Sequence, residues 1–215
     1  RMDDQTDLLE QGFTGLRNDL LDTLGDANLH LQPETITRTL HARVRAKLKV
    51  IETLLRRLIL LLAMTLDLAP VRPRAARPAA PPPEGVEDVT ASFRAHLPLQ
   101  YRMALMPPQS RALGEISALA PARRTGPVLA MPLLRRAAGL LKVIKQPDAA
   151  ARRMARLIER MKTRGDVRPY CLPIAGRHRL RPDLALLAGA IRLQVNSALA
   201  DWPVPVRPLS GPDTS

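Results

Sequence analysis

Cys171 and His178 stand seven residues apart, and Asp183 follows five residues later. A thiol, an imidazole and a carboxylate are the parts of a nucleophilic triad, in which the imidazole takes the thiol proton and a third group orients it. Such a site also needs oxyanion donors, and a structural role is the default for a lone cysteine. The remaining histidines, His30, His41 and His96, form no His-x-His, no His-Glu-x-x-His and no Cys/His pair at zinc spacing. Gly12-x-x-Gly15 lacks the Gly-Lys-Ser/Thr of a phosphate loop and follows no strand signal. One cysteine in 215 residues excludes a disulfide framework, a Cys-x-x-Cys redox pair and a multi-cysteine zinc centre. The expectation is a protein that is not an enzyme and that uses no metal or cofactor.

What remains is arginine. The net charge is +13, and 28 of the 33 basic residues are Arg. Arg, Ala, Pro and Leu are all in excess, as GC-rich codons produce, so a GC-rich bacterial source is expected and part of the basicity is compositional. The charge is segregated all the same. Residues 1–37 are net −6, residues 38–83 net +8, residues 111–182 net +13, and the two other stretches net −1 each. The basic residues gather in one place above all. Arg152, Arg153, Arg156, Arg160 and Arg164 recur at helical spacing. Arg168, Arg177, Arg179 and Arg181 follow in an irregular link. Guanidinium groups form bidentate hydrogen bonds with carboxylate and phosphate, so these nine residues are the candidate binding surface for an anionic partner. Six such contacts to DNA would lower affinity roughly a thousand-fold between 50 and 200 mM salt. Single-strand binders, however, stack bases on aromatic rings, and this chain has five aromatic residues, of which only Tyr170 lies in the region.

These residues need elements to hold them. Residues 3–24 read as a helix through Leu8, Leu9, Phe13, Leu16, Leu20, Leu21 and Leu24, with Asp3, Asp4 and Asp7 favoured at its positive end. Gly12 and Gly15 weaken it by about 1 kcal/mol each on propensity alone. The strongest element spans roughly 34–68, with Pro33 and Glu34 as start signals. Ile36, Leu40, Val44, Leu48, Ile51, Leu55, Leu58 and Leu62 fall within about 120° of arc. Arg38, Arg45, Lys49 and Arg56 form a basic stripe well away from them. From Leu58 to Met64 this helix is apolar all round, which requires cover on more than one side. The uncharged run from Leu58 to Leu66 is too short for a bilayer span, which takes about 20 residues. An interfacial basic amphipathic helix over 38–68 is the membrane alternative.

Residues 69–86 are Pro-, Ala- and Arg-rich and read as a linker, since proline cannot sustain a helix. Short helices are expected at 87–95 and 108–119, with an extended stretch at 97–105 between them. Further helices are expected over Pro132–Lys145, from Pro147 to Arg164 with Gly165 as the stop, and from Pro182 to about Ala200. Residues 203–215 read as a frayed, disordered tail.

The fold expected is all-α. A helical hairpin over 1–68 packs its acidic first helix antiparallel on the long second, and a basic helical region over 87–202 follows the linker. The leucine-rich end of the long helix must be covered by the C-terminal helices or by a second copy, which allows a homo-oligomer through 34–68. The first 30 residues carry acids where a signal peptide would be basic and no apolar stretch follows, so a cytoplasmic protein is expected, at most peripheral to the membrane. The function expected is binding or scaffolding, with the arginine face on an acidic protein surface. Nucleic acid and anionic lipid are the alternative partners.

Overall fold

The computed structural model describes residues 2–68, 101, 103–105 and 126–203. The linker from 69, the short helices expected at 87–95 and 108–119, and the tail beyond 203 lie outside the described residues. Five helices occur among the described residues, and the fold is all-α. They are α1 (Met2–Asp26), α2 (Arg38–Met64), α3 (Met131–Lys145), α4 (Pro147–Arg164) and α5 (Pro182–Ala198). Two 3₁₀ turns, Leu29–Leu31 and Arg177–Arg179, lie ahead of α2 and α5. Two very short strands, β1 (Thr35–Ile36) and β2 (Val128–Leu129), pair antiparallel, with Thr35 opposite Leu129 and Ile36 opposite Val128.

The long helix starts later than Pro33 and Glu34 suggest. Thr37 is its N-cap: the backbone is extended there and the side-chain oxygen accepts the Leu40 amide at 3.3 Å. The residues just before it are drawn into the strand pair, and Glu34 adds a bond by accepting the Ala130 amide at 3.0 Å. Pro147 opens α4, and Gly165 closes it in the left-handed conformation at φ 69. The Asp166 amide reaches back to the Met161 carbonyl at 3.0 Å, which satisfies a carbonyl that the helix end would leave free.

α1 and α2 form the expected antiparallel hairpin, since Gly12 of α1 lies against Leu58 of α2 while Asp19 meets Lys47. The two glycines that weaken α1 on propensity sit at its closest approaches. A Cβ on Gly12 would stand 2.7 Å from Leu58 Cδ2, and one on Gly15 would stand 3.1 Å from Leu184 Cδ1. Their small size lets α1 press on both α2 and α5.

α2 is the hub, packed against α1, α3, α4 and α5. Leu54, Leu55, Leu58, Ile59 and Leu61 are fully buried. The all-round apolar end is thus covered by helices of the same chain. One cluster of buried side chains runs from Leu9 in α1 to Trp202 beyond α5. Burial of this kind contributes about 1.5–3 kcal/mol per large aliphatic side chain. Trp202 ties two helix ends together: it is buried, and its Nε1 donates to the Asp166 carbonyl at 2.9 Å. Lys162 of α4 lies 5.6 Å from its ring centroid. Among the described residues, no helix is long and apolar enough to cross a membrane.

Candidate anion-binding surface

α4 divides sharply. Ala150, Ala151, Met154 and Ile158 are buried against the core, while Arg152, Arg153, Arg156, Arg160 and Arg164 are all exposed. None of the five makes an ion pair among the described residues. Arg153 Nε donates to the Ala149 carbonyl and Arg160 Nε to the Arg156 carbonyl, both at 3.3 Å, so these side chains lie back along their own helix. Glu159 is the only acid within the face. Leu157 and Met161 are half-buried between the arginines and the core. The segment after Gly165 adds apolar groups: Val167, Tyr170 and Leu172 are exposed at 79%, 67% and 65%.

The other four candidate arginines are held separately. Arg168 Nη2 donates to the Asn196 carbonyl at 2.8 Å, which ties the link after α4 to α5. Arg177 and Arg179 project from the 3₁₀ turn. Arg181 Nη1 pairs with Asp22 of α1 at 3.2 Å; both groups are about half exposed, so the pair contributes little to stability. The acidic first helix does meet basic residues within the molecule, here and at Asp19. That carboxylate is fully buried and lies 3.1 Å from Lys47 Nζ. Burial pushes it above the ordinary carboxyl range, and Lys47 pulls in the opposite direction.

The structure adds a cationic site that the sequence reading did not single out. Arg57, Arg177 and Arg192 line one cavity of about 420 Å³ between α2, the 173–177 turn and α5. Arg57 is only 8% exposed. Its Nη2 donates to the Leu172 carbonyl, while its Nη1 is buried with no hydrogen-bond partner among the described residues. Burial pushes this guanidinium below its ordinary range; the nearby Cys171 acts against that shift and the like charge of Arg192 with it. A signal for Arg57 does exist in the sequence. It stands in the apolar half of α2, off the basic stripe, with Thr53, Leu54, Leu60 and Leu61 where a helical acid partner would be.

A second cationic concavity follows the basic stripe of α2. Arg45, Lys49, Arg56 and His41 line it with Tyr101, Arg136 and the buried Glu52. Glu52 accepts from both Arg56 and Arg136, with Arg136 Nε at 3.0 Å. Arg136 also stacks over Tyr101 at 5.8 Å, and burial followed by Glu52 pushes the Tyr101 hydroxyl up to about 12. Arg56 Nε donates to the Ala104 carbonyl at 2.6 Å, and a Cβ on Gly139 would stand 3.0 Å from the Tyr101 carbonyl. This concavity is therefore partly neutralised and acts as a structural joint.

Cys171 is half-buried and clamped through its backbone. Its amide donates to Asn196 Oδ1 at 3.1 Å, and its carbonyl accepts from Asn196 Nδ2 at 3.4 Å. Burial pushes the thiol up, with Arg57 opposing, whereas a nucleophilic cysteine needs its thiolate favoured. His178 is exposed on the 3₁₀ turn. No group of three or more His, Cys, Asp and Glu side chains able to hold a metal ion occurs among the described residues. No family model matches the chain, and neither a curated protein nor a solved structure matches it.

Proposed function

We propose that this chain is a non-enzymatic docking protein that engages an acidic protein surface through α4 and residues 165–172. The observation that carries the reading is the state of the α4 arginines: five exposed cations on one helix without an acidic partner among the described residues. From Arg152 to Arg164 they extend along about 18 Å of the helix, enough for one face of a modest protein interface. The neighbouring apolar groups favour a protein over a nucleic-acid backbone. Leu157 and Met161 beside the arginines, and Val167, Tyr170 and Leu172 after them, need apolar cover that a row of phosphates does not offer. Arginine, methionine and tyrosine are also the residue types that protein interfaces enrich. The proposal takes the protein as cytoplasmic, in keeping with its free thiol at Cys171.

The test compares three probes at fixed salt: a labelled Glu/Tyr copolymer, a labelled DNA duplex and anionic vesicles. The wild type should bind the copolymer. Arg153→Glu, Arg156→Glu and Arg160→Glu combined should weaken that binding more than ten-fold, since each exposed pair contributes about 0.2–1 kcal/mol and reversal adds repulsion. Helix content should stay unchanged. Binding to the duplex alone, steeply salt-dependent, would overturn the reading in favour of nucleic acid. Binding to vesicles alone would overturn it in favour of a membrane surface.

A further inference from the structure

The cavity bounded by Arg57, Arg177 and Arg192 is distinct from the α4 face in its chemistry. Arg57 is more than nine-tenths buried and lines it. A buried cation normally has a carboxylate partner, because removing a charge from water without one is strongly unfavourable. Here the partner is a single backbone oxygen, that of Leu172, and Nη1 has none among the described residues. Among the described residues, no acidic side chain lines the cavity. It brings two further guanidinium groups instead, and the like charge of Arg192 acts on Arg57.

Shape and lining narrow the ligand. At about 420 Å³ the space exceeds a single inorganic ion and falls within the range of small-molecule pockets. Pro173, Ile174 and Ala188 give it an apolar wall beside the cationic one. Gly189 leaves room over α5, where the Arg177 head group passes 3.9 Å from the place a Cβ would take. Guanidinium groups suit phosphoryl oxygens, and a phosphate dianion compensates two of the three charges, whereas a monocarboxylate compensates one. We infer that this cavity is a receptor site for a small organic phosphate, with Arg57, Arg177 and Arg192 on the phosphoryl oxygens and the apolar wall against the organic group. The inference does not depend on the docking role of α4.

The experiment is calorimetric titration and thermal unfolding of the full chain with inorganic phosphate and with phenyl phosphate, against chloride and benzoate at equal ionic strength. Both phosphates should raise the melting temperature in a saturable way, as a ligand of the folded state does. Phenyl phosphate should bind at least ten-fold more tightly than inorganic phosphate. Arg192→Gln should lower both affinities ten-fold or more. Gly189→Leu, which fills the cavity at a helical position where a Cβ meets only the Arg177 head group at 3.9 Å, should abolish phenyl phosphate binding and leave the fold intact. Arg57→Met tests the buried group itself, and the two other variants keep the answer readable if it does not fold. The triple α4 variant should bind phosphate normally, which separates this site from the docking surface. Equal stabilisation by chloride or benzoate, or phosphate affinity unchanged in both Arg192→Gln and Gly189→Leu, would overturn the assignment.

Discussion

Replacing the glycines of α1 one at a time by alanine tests the helix packing directly. On propensity alone each change in a helix interior should stabilise by about 1 kcal/mol. The structure orders them differently. Gly25 is exposed and a Cβ there meets nothing within 4 Å, so Gly25→Ala should gain about 0.5–1 kcal/mol, the lower end reflecting its place in the last turn. At Gly15 the new carbon would lie 3.1 Å from Leu184 Cδ1, and a shift of a few tenths of an ångström roughly cancels the gain. At Gly12 it would lie 2.7 and 2.9 Å from the two Leu58 methyls. Leu58 is fully buried in the hub helix, so its methyls can yield only against other core side chains. Overpacking of this kind costs about 1–3 kcal/mol, which after the propensity gain leaves Gly12→Ala destabilised by up to about 2 kcal/mol. Urea denaturation gives the three values, and a second background checks the cause. Valine at 58 has no δ-carbons, so the penalty of Gly12→Ala should shrink when combined with Leu58→Val. If Gly12→Ala stabilises as much as Gly25→Ala, α1 does not rest on Leu58 and the hairpin packing described above is wrong.

Two further perturbations probe the Glu52 joint. Glu52→Gln removes a buried charge from two arginines that are about one-fifth exposed, and should destabilise by about 2–3 kcal/mol, with a double-mutant cycle against Arg136→Met recovering 1 kcal/mol or more as coupling. A loss under about 0.5 kcal/mol would mean that the pair behaves like a surface ion pair. In a Tyr170→Phe background, which leaves Tyr101 as the single tyrosine, ultraviolet titration should place the phenol at about 12. The unfolded chain releases this proton first, near pH 10, so the stabilisation is complete below that pH and is lost as pH rises from about 10 to about 12. A midpoint at the ordinary value would mean that Tyr101 is not buried beside Glu52.

The arginine face of α4 was legible because a single helix sets it. Pro147, the 3.6-residue period and Gly165 fix both the boundaries and the faces, and the neighbours of α4 do not alter them. The same holds for the extents of α1, α3 and α5. Where partners distant in sequence decide, local signals gave the wrong weight. Pro33 and Glu34 are sound helix-start signals, yet pairing of Thr35 and Ile36 with Val128 and Leu129 delays α2 to Thr37, and two-residue strands leave no alternation to read. Gly12 and Gly15 look like defects until Leu58 and Leu184 are brought against them. The Arg57 cavity joins α2 to residues more than a hundred positions later, so only the absence of a nearby acid hinted at it.

The central position of α2 has a consequence for synthesis on the ribosome. The helix is complete at Met64, but two of the elements that cover its leucine-rich half, α4 and α5, finish only at Arg164 and Ala198. At translation rates of roughly 5–20 residues per second, that interval is on the order of ten seconds. Until Lys145 completes α3, α1 is the only finished one of the four helices packed on α2, and Leu58, Ile59, Leu60 and Leu61 wait on a strongly basic segment. The nascent chain therefore has the profile of a client for chaperones that hold apolar, cationic stretches until α5 emerges.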